Sequence, residues 1–433
     1  MPILGSLIAE PLTGLVDTAF VARLGVDSLA ALGVGTMVLS ALFWALSFLG
    51  VATQTRVAVS IGADAHTDGP GRDAARLCLV AVVLALLLGT GFAVVGIPLA
   101  DAASRAMGAD GPVAELSAAY LRIRLAGAPA MLACFAAFGA LRGAHDMRTP
   151  LWVAGGMNAL NIVLDPILIF GFGPVPDWGV AGAAAASTAS QWAGAAWAAA
   201  VALRRLGRPD RFDWRQARGL LTAGVNLFLR AACLNGFLIL GTRKATLIGP
   251  GSGAVHQVVR STWFFNALFL DAFAISAQSL VAHFLGRGER ARARYVAKIT
   301  CQWSLGAGGL LCLLMMAAEP WVSQLYIPPV AAALFSVPWR IAALSQPISG
   351  LTFGTDGVHF GASDFVFLRN TVLAALLVGA AILLATDAES PTALNAVWWS
   401  FMAWTLVRAV AGMTRVWPGF GDAPLGWEPT MTR

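Results

Sequence analysis

Two carboxylic acids in long apolar stretches are the residues of this sequence with the clearest capacity for chemistry. Asp17 lies in the first apolar run, and Asp165 lies in the run of residues 150–170. A charged side chain at the centre of a membrane-spanning helix costs about 2.5–3.5 kcal/mol on insertion scales, so such acids mark ion pathways or binding sites. We therefore expect the two helices that carry Asp17 and Asp165 to form the walls of a cavity that is sensitive to protons or cations. The alternative is that hydrogen bonds hold the two acids for helix packing.

Amides and a proline accompany Asp165 on its own helix. Asn161 lies four residues before the acid and Asn158 seven, so the three side chains share one helical face. Pro166 lacks an N–H and opens the helical hydrogen-bond ladder next to the acid. Polar neighbours of this kind can distinguish a protonated carboxyl group from a carboxylate. Asn158 and Asn161 are thus candidates for support of the ion site, with plain helix packing as the alternative.

Glu10 extends the polar face of the first run. It lies seven residues before Asp17, on the same side of the helix and nearer the end that we expect to face the cytoplasm. Two interpretations stay open for Glu10, a structural polar contact and a role in the cavity.

The composition requires a helical membrane protein to position these acids. Of the 433 residues, 58% are hydrophobic and only 12% are charged, and the mean hydropathy is +0.72. Soluble domains carry about 25% charged residues. A spanning helix needs about 20 apolar residues, and on that rule the sequence contains twelve spans. The predicted spans are roughly 2–22, 29–60, 75–99, 116–140, 149–171, 179–203, 220–247, 254–285, 293–318, 330–356, 364–386 and 392–415.

Internal echoes indicate that the twelve helices form two lobes. Gln54 and Gln278 are 224 positions apart, as are Gly25 and Gly249, and the segment 142–145 resembles 356–359 at an offset of 214. Such repeats are typical of transporters built from two related halves. The predicted fold is an all-α polytopic membrane protein with two pseudo-symmetric six-helix lobes, residues 1–207 and 208–433.

Charged loops orient the bundle. The formal net charge is +6, and basic residues concentrate in the loops after even-numbered spans. The positive-inside rule then places those loops and both termini in the cytoplasm. We predict a multi-pass protein of the plasma (inner) membrane, a monomer in contact with lipid. Because the basic residues set topology, no nucleic-acid partner is expected.

Cofactor and enzyme motifs are missing from the sequence. The five cysteines lie in apolar runs without a Cys-x-x-Cys pair, the histidines lack metal-ligand spacing, and no Walker lysine motif occurs. We expect no cofactor, no metal and no enzymatic activity, with H⁺ or Na⁺ acting only as a coupling ion.

The sequence resembles the multidrug and toxic compound extrusion (MATE) transporters, specifically the DinF-like branch. The similarity covers nearly the whole chain and is densest in the first half. Its motifs include EPLTGLVDT at 10–18, RGAHDMRTP at 142–150, NIVLDP at 161–166, NLFLR at 226–230 and LDAFAISAQ at 270–278.

This resemblance implies an antiporter for multidrug efflux, which expels cationic or lipophilic compounds in exchange for H⁺ or Na⁺. It implies that Asp17 and Asp165 are the ion-linked pair and that Asn161 is the amide beside them. A hydroxyl from span six joins this group in relatives, and Thr188 or Ser187 is the candidate here.

Secondary candidates lie in the second half of the chain. Asp271 and Arg230 fall in membrane runs on successive helices and are expected to form an ion pair or to contact substrate. Gln278 closes the motif that contains Asp271.

Two other functions compete with cation export. The first is a flippase for lipid-linked oligosaccharides or other lipid precursors, which should line its cavity with Arg or Lys to bind pyrophosphate. The second is a membrane enzyme or a receptor that does not transport. The clearest mid-span charges are acids, and this favours small-molecule cations as substrates.

Overall fold

A computed structural model shows that the chain folds into helices. It describes residues 2–64, 72–417, 419 and 421–426, and the side chains of residues 8–12, 41, 42, 44 and 45 lie outside that description. The described residues form fifteen α-helices and two short 3-10 turns, and they contain no β-sheet. The predicted all-α class is confirmed.

The chain divides into two compact units, Met1–Gly224 and Val225–Arg433. The predicted lobe boundary after residue 207 stays a prediction. The first unit contains eight helices and the beginning of a ninth. They are α1 (Pro2–Val21), α2 (Val26–Leu46), α3 (Phe48–Asp64), α4 (Arg72–Ala106), α5 (Gly111–Ala126), α6 (Ala128–Gly143), α7 (Arg148–Phe170), α8 (Val180–Leu206) and α9 (Trp214–Ile248).

The second unit contains most of α9 and six further helices. These are α10 (Pro250–Gly286), α11 (Arg290–Tyr326), α12 (Ser336–Leu344), α13 (Gln346–Gly361), α14 (Phe365–Ala385) and α15 (Ala393–Val416). Its core is rich in aromatic side chains, with Trp339, Trp398, Trp404 and Phe237 fully buried.

Three spans are interrupted rather than continuous. Single residues, Ser47, Gly127 and Ser345, separate α2 from α3, α5 from α6, and α12 from α13. Prolines near the start of α6 and α13 remove backbone donors at two of these breaks. When each interrupted pair is counted as one span, the fifteen helices give the twelve predicted spans.

Length and hydropathy identify part of this set directly. Within the described residues, six helices are each long and apolar enough to cross a bilayer: α4, α7, α9, α10, α11 and α14. The pair α5–α6, bent by 45°, would make a seventh span.

The two units repeat the same close helix contact. A Cβ atom on Gly143 would lie 2.6 Å from the carbonyl oxygen of Gln54, and one on Gly361 would lie 2.7 Å from that of Gln278. The offset of 224 between the glutamines therefore reflects equivalent places in the fold. The second predicted echo is wrong by one helical turn, because Gly143 corresponds to Gly361 and not to Gly357.

The turn that follows this contact also repeats. His145 and Ser363 adopt φ angles of 59° and 57°, which are uncommon for residues with a side chain. An aspartate follows each of them, Asp146 in the first unit and Asp364 in the second.

Asp146 fixes the beginning of α7. Its Oδ1 accepts hydrogen bonds from the backbone N–H groups of Arg148 (3.1 Å) and Thr149 (3.0 Å), and its Oδ2 lies 3.1 Å from the Arg205 guanidinium. Burial disfavours the charged carboxylate, but the bonds from Thr149 and the charge of Arg205 outweigh it, so the pKa of Asp146 lies below its ordinary value.

We predict that Asp146→Asn lowers the stability of the first unit. Asparagine can still accept the two backbone hydrogen bonds, so the loss comes from the negative charge removed beside Arg205 and the helix N-terminus, and it should be about 0.3–1 kcal/mol. Because the pKa is lowered by folding, the contribution is complete above the ordinary pKa of an aspartate and disappears as the pH falls through the lowered value. Thermal unfolding in detergent at several pH values measures the difference. Asp177→Asn, in an exposed loop, is the matched control, and equal unfolding of the two variants at neutral pH would contradict the assignment.

Candidate functional site

Three helices of the first unit bring four polar side chains together. Asp17 comes from α1, Asn161 and Asp165 come from α7, and Ser187 comes from α8. Asp165 and Asn161 are 0% and 1% exposed, and Asp17 and Ser187 are 6% and 7% exposed. We call these four residues the acid cluster. The structure thus brings Asp17, Asp165 and Asn161 together. Helical spacing predicted that Asn161 lies beside Asp165, and the family resemblance implied that Asp17 joins them.

The hydroxyl of Ser187 connects α8 to the first acid. Its Oγ donates to Asp17 Oδ2 at 3.2 Å. The two carboxyl groups, from Asp17 and Asp165, interact directly with each other. Asp165 Oδ2 is buried and has no hydrogen-bond donor among the described residues. One carboxyl oxygen in the cluster is therefore available to a proton or to a bound cation.

Asn161 lies between the two acids. In one amide orientation its nitrogen is 3.4 Å from Asp165 Oδ1. In the other, the nitrogen donates to Asp17 Oδ1 at 3.0 Å, and the amide oxygen accepts from the backbone N–H of Ser187 at 3.3 Å. We assign the second orientation because it gives both ends of the amide a partner. Asn161 then holds α1, α7 and α8 at one point.

Close helix packing makes these contacts possible. A Cβ atom on Gly182 would collide with the carbonyl oxygen of Leu168, so only glycine allows α8 to approach α7 this closely. Pro166 lies inside α7, and the helix continues to Phe170 even though Pro166 supplies no N–H to the ladder.

An arginine that was not predicted as a site residue lies beside the acid cluster. The half-buried Arg124 on α5 donates from Nη1 to Gln191 Oε1 at 2.9 Å. Its guanidinium also lies near the Tyr120 hydroxyl and interacts electrostatically with Asp17. The spacing of Tyr120 and Arg124, four residues apart in an apolar helix, puts both side chains on one face, and this spacing could have identified Arg124 from the sequence.

Of the two hydroxyls predicted from span six, that of Ser187 reaches the acid cluster, and a site role for Thr188 stays a prediction. Thr188 Oγ1 donates to the carbonyl oxygen of Ile123 at 3.2 Å. A shift of one residue rotates a side chain by about 100° around the helix axis, so only one of the two neighbouring hydroxyls can point at Asp17.

The remaining first-half candidates lie outside the acid cluster. Asn158 is half-buried, and its Oδ1 accepts a hydrogen bond from Thr13 of α1. Glu10 falls on α1, but its side chain lies outside the described residues. Within the described part of the chain, no group of three or more His, Cys, Asp or Glu side chains could hold a metal ion.

The second-half candidates have different surroundings from those predicted. Arg230 on α9 donates to Asp356 of α13 at 2.5 Å, and Arg408 of α15 donates to the same oxygen at 2.6 Å. Asp356 was read from the sequence only as part of a repeated segment. Asp271 is half-buried on α10. The ion-pair partner that the structure gives Arg230 is Asp356, and substrate contact by Asp271 stays a prediction. Gln278 is buried, with its backbone carbonyl against Gly361.

Known proteins are similar to this chain over most of its length. The MatE family profile matches residues 2–167 and 228–385. Protein DETOXIFICATION 44, chloroplastic, of Arabidopsis thaliana is 32% identical over 99% of this chain and 83% of its own length. DNA damage-inducible protein F of Escherichia coli K12 is 28% identical over 87% of this chain and 82% of its own length.

A solved structure shows the same fold. The crystal structure of a MATE protein in the bent conformation superposes with a TM-score of 0.87 at 22% identity, over 96% of this chain and 92% of that one. Such structures have twelve helices in two lobes, and the prediction of that architecture is confirmed. The relatives do not support the flippase alternative.

We predict that Ser187→Ala changes the infrared carboxyl band of Asp17, whereas Thr188→Val does not. The first substitution removes a hydroxyl that donates to the acid, and the second removes one that donates to a backbone carbonyl. Difference infrared spectroscopy across a pH step detects the band, and Asp17→Asn identifies it by its disappearance. A shift of the band in Thr188→Val alone would contradict this assignment, because it would mean that Thr188 and not Ser187 faces Asp17.

Proposed function

Because this chain belongs to the MATE family of multidrug efflux transporters, we propose that it is a secondary active antiporter. It exports organic cations or amphipathic toxic compounds in exchange for a small cation that enters through the first unit. The contact between the carboxyl groups of Asp17 and Asp165 is the observation that supports this proposal.

The acid cluster can link the binding of two ligands of like charge. Two carboxyl groups in contact carry one negative charge at lower cost than two. A proton that neutralises the cluster weakens its attraction for a cationic compound, and the departure of that proton restores the attraction. Each ligand then lowers the affinity of the other, and this mutual effect is the thermodynamic basis of antiport.

H⁺ is the coupling ion that this arrangement favours. Ser187 and Asn161 donate to Asp17, and the contact between the two carboxyl groups lets one of them hold a proton that an oxygen of the other accepts. The same oxygens are also hard ligands that suit Na⁺, so Na⁺ is the alternative that the experiment below must separate.

Arg124 supports the exchange as an internal positive charge. Its guanidinium interacts with Asp17 and is held by Gln191. When the acid cluster carries no bound cation, Arg124 balances part of its negative charge, and a cationic ligand must compete with that interaction.

The surroundings of the protein follow from the same proposal. We place the chain in the plasma (inner) membrane as a monomer in contact with lipid. Both termini lie in the cytoplasm, because basic residues concentrate in the loops after even-numbered spans. Its partners are small cationic or lipophilic molecules, and it catalyses no covalent reaction. Asp271 and Gln278 remain secondary candidates for substrate contact.

We predict that Asp17→Asn and Asp165→Asn each reduce proton-driven export of ethidium by about 5- to 150-fold, the range that coupling free energies of ~1–3 kcal/mol produce. Each substitution keeps the shape of the side chain and removes its titratable proton. Ethidium efflux from proteoliposomes with an imposed pH gradient, in the absence of Na⁺, measures the effect.

Asp27→Asn is the matched control, since Asp27 is exposed in the first turn of α2, and it should retain wild-type efflux. If efflux responds to an imposed Na⁺ gradient but not to the pH gradient, the coupling ion is Na⁺ and not H⁺. Full proton-driven efflux in both acid variants would exclude the acid cluster from coupling.

A further inference from the structure

Three helices of the second unit bury two arginines against one carboxylate. Arg230 of α9 and Arg408 of α15 both donate from Nη2 to the same oxygen, Oδ2 of Asp356 on α13, at 2.5 Å and 2.6 Å. The side chains of Arg230, Asp356 and Arg408 are 13%, 9% and 4% exposed. We call these three residues the arginine cluster.

This cluster carries one more positive charge than negative. Asp356 can neutralise one guanidinium, and the charge of the second is left over inside a membrane protein. Buried charges are retained at low cost only when they are compensated and hydrogen-bonded. A structural ion pair would need one arginine, so the second indicates a further, negatively charged partner.

The two arginines and a neighbouring tryptophan carry N–H donors that have no acceptor in the described part of the chain. The Nε atoms of Arg230 and Arg408 are buried and have no hydrogen-bond acceptor among the described residues, and the same holds for Nε1 of Trp404. Each of these atoms carries an N–H that can only donate. Arg408 is nine-tenths buried, so solvent does not readily satisfy its Nε–H.

Aromatic rings hold both guanidinium groups in place. The Cζ atom of Arg408 lies 4.6 Å from the ring centroid of Trp404, and that of Arg230 lies 4.9 Å from the ring centroid of Phe360. These contacts stabilise the cations through the ring faces, but they offer no acceptor in the plane of the guanidinium. The N–H groups stay oriented and available.

We propose that Arg230, Arg408 and Trp404 form a binding site for a small anion in the second unit, either a halide ion or the carboxylate group of an organic ligand. The anion accepts hydrogen bonds from the unused N–H groups and compensates the excess positive charge. Asp356 acts as an internal competitor that lowers the affinity of the site for the anion. This site is separate from the acid cluster of the first unit and goes beyond cation export.

Thermal unfolding of the purified full chain tests the proposal. The protein is titrated with sodium chloride or with sodium acetate, and sodium HEPES is the reference salt that keeps the ionic strength constant. A ligand that binds only the folded state raises the unfolding temperature in a saturable way. We expect such a rise for chloride, for acetate or for both, and the responding anion distinguishes a halide site from a carboxylate site.

Substitutions test whether the anion-dependent rise in unfolding temperature comes from the arginine cluster. Arg408→Gln and Arg230→Gln should abolish the anion-dependent rise, whereas Arg122→Gln, which removes an exposed arginine paired with Asp101 in the other unit, should retain it. Asp356→Asn should strengthen anion binding by about tenfold or more, because it removes a negative charge that lies next to the site.

The Asp356→Asn variant also decides the question if the arginine variants fail to fold. A purely structural ion cluster predicts that Asp356→Asn destabilises the protein without any gain in anion affinity. That result, or a wild-type protein that responds to chloride and acetate no more than to HEPES, would overturn the proposal.

Discussion

The contact between two buried carboxyl groups is the constraint on which the first unit depends. Asp17 and Asp165 come from helices α1 and α7, and in a medium of low polarity they meet at low cost only if a proton or a cation lies with them. Ser187 and Asn161 hold the acids in register from α8 and α7. The glycine at position 182 permits this approach, so helix packing and ion chemistry are parts of one arrangement.

The two units share packing but differ in chemistry. Gly143 and Gly361 make the same close contact in their respective units. The polar residues that this scaffold carries are different: the first unit buries a pair of acids, and the second buries a pair of arginines around Asp356. A repeated fold therefore fixes where helices approach each other and leaves the charge at each site free to vary.

Much of this could be predicted from the sequence, and the failures have physical reasons. The cost of a buried carboxylate makes Asp17 and Asp165 conspicuous, and helical spacing adds Asn161. The choice between Ser187 and Thr188 depends on the rotation of α8, which its packing against α5, α6 and α7 determines. Asp356 was not predicted as a site residue, because its two arginine partners lie 126 and 52 residues away along the chain and no local pattern connects them.

Proton release on ligand binding tests the central claim most directly. When a cationic compound such as ethidium is added to the purified protein in weakly buffered detergent solution near neutral pH, protons should appear in the medium as the ligand saturates its site. The release should disappear when both acids of the cluster are replaced by asparagine. Saturable binding of the cation without proton release in Na⁺-free solution would contradict an exchange of H⁺ for substrate at Asp17 and Asp165.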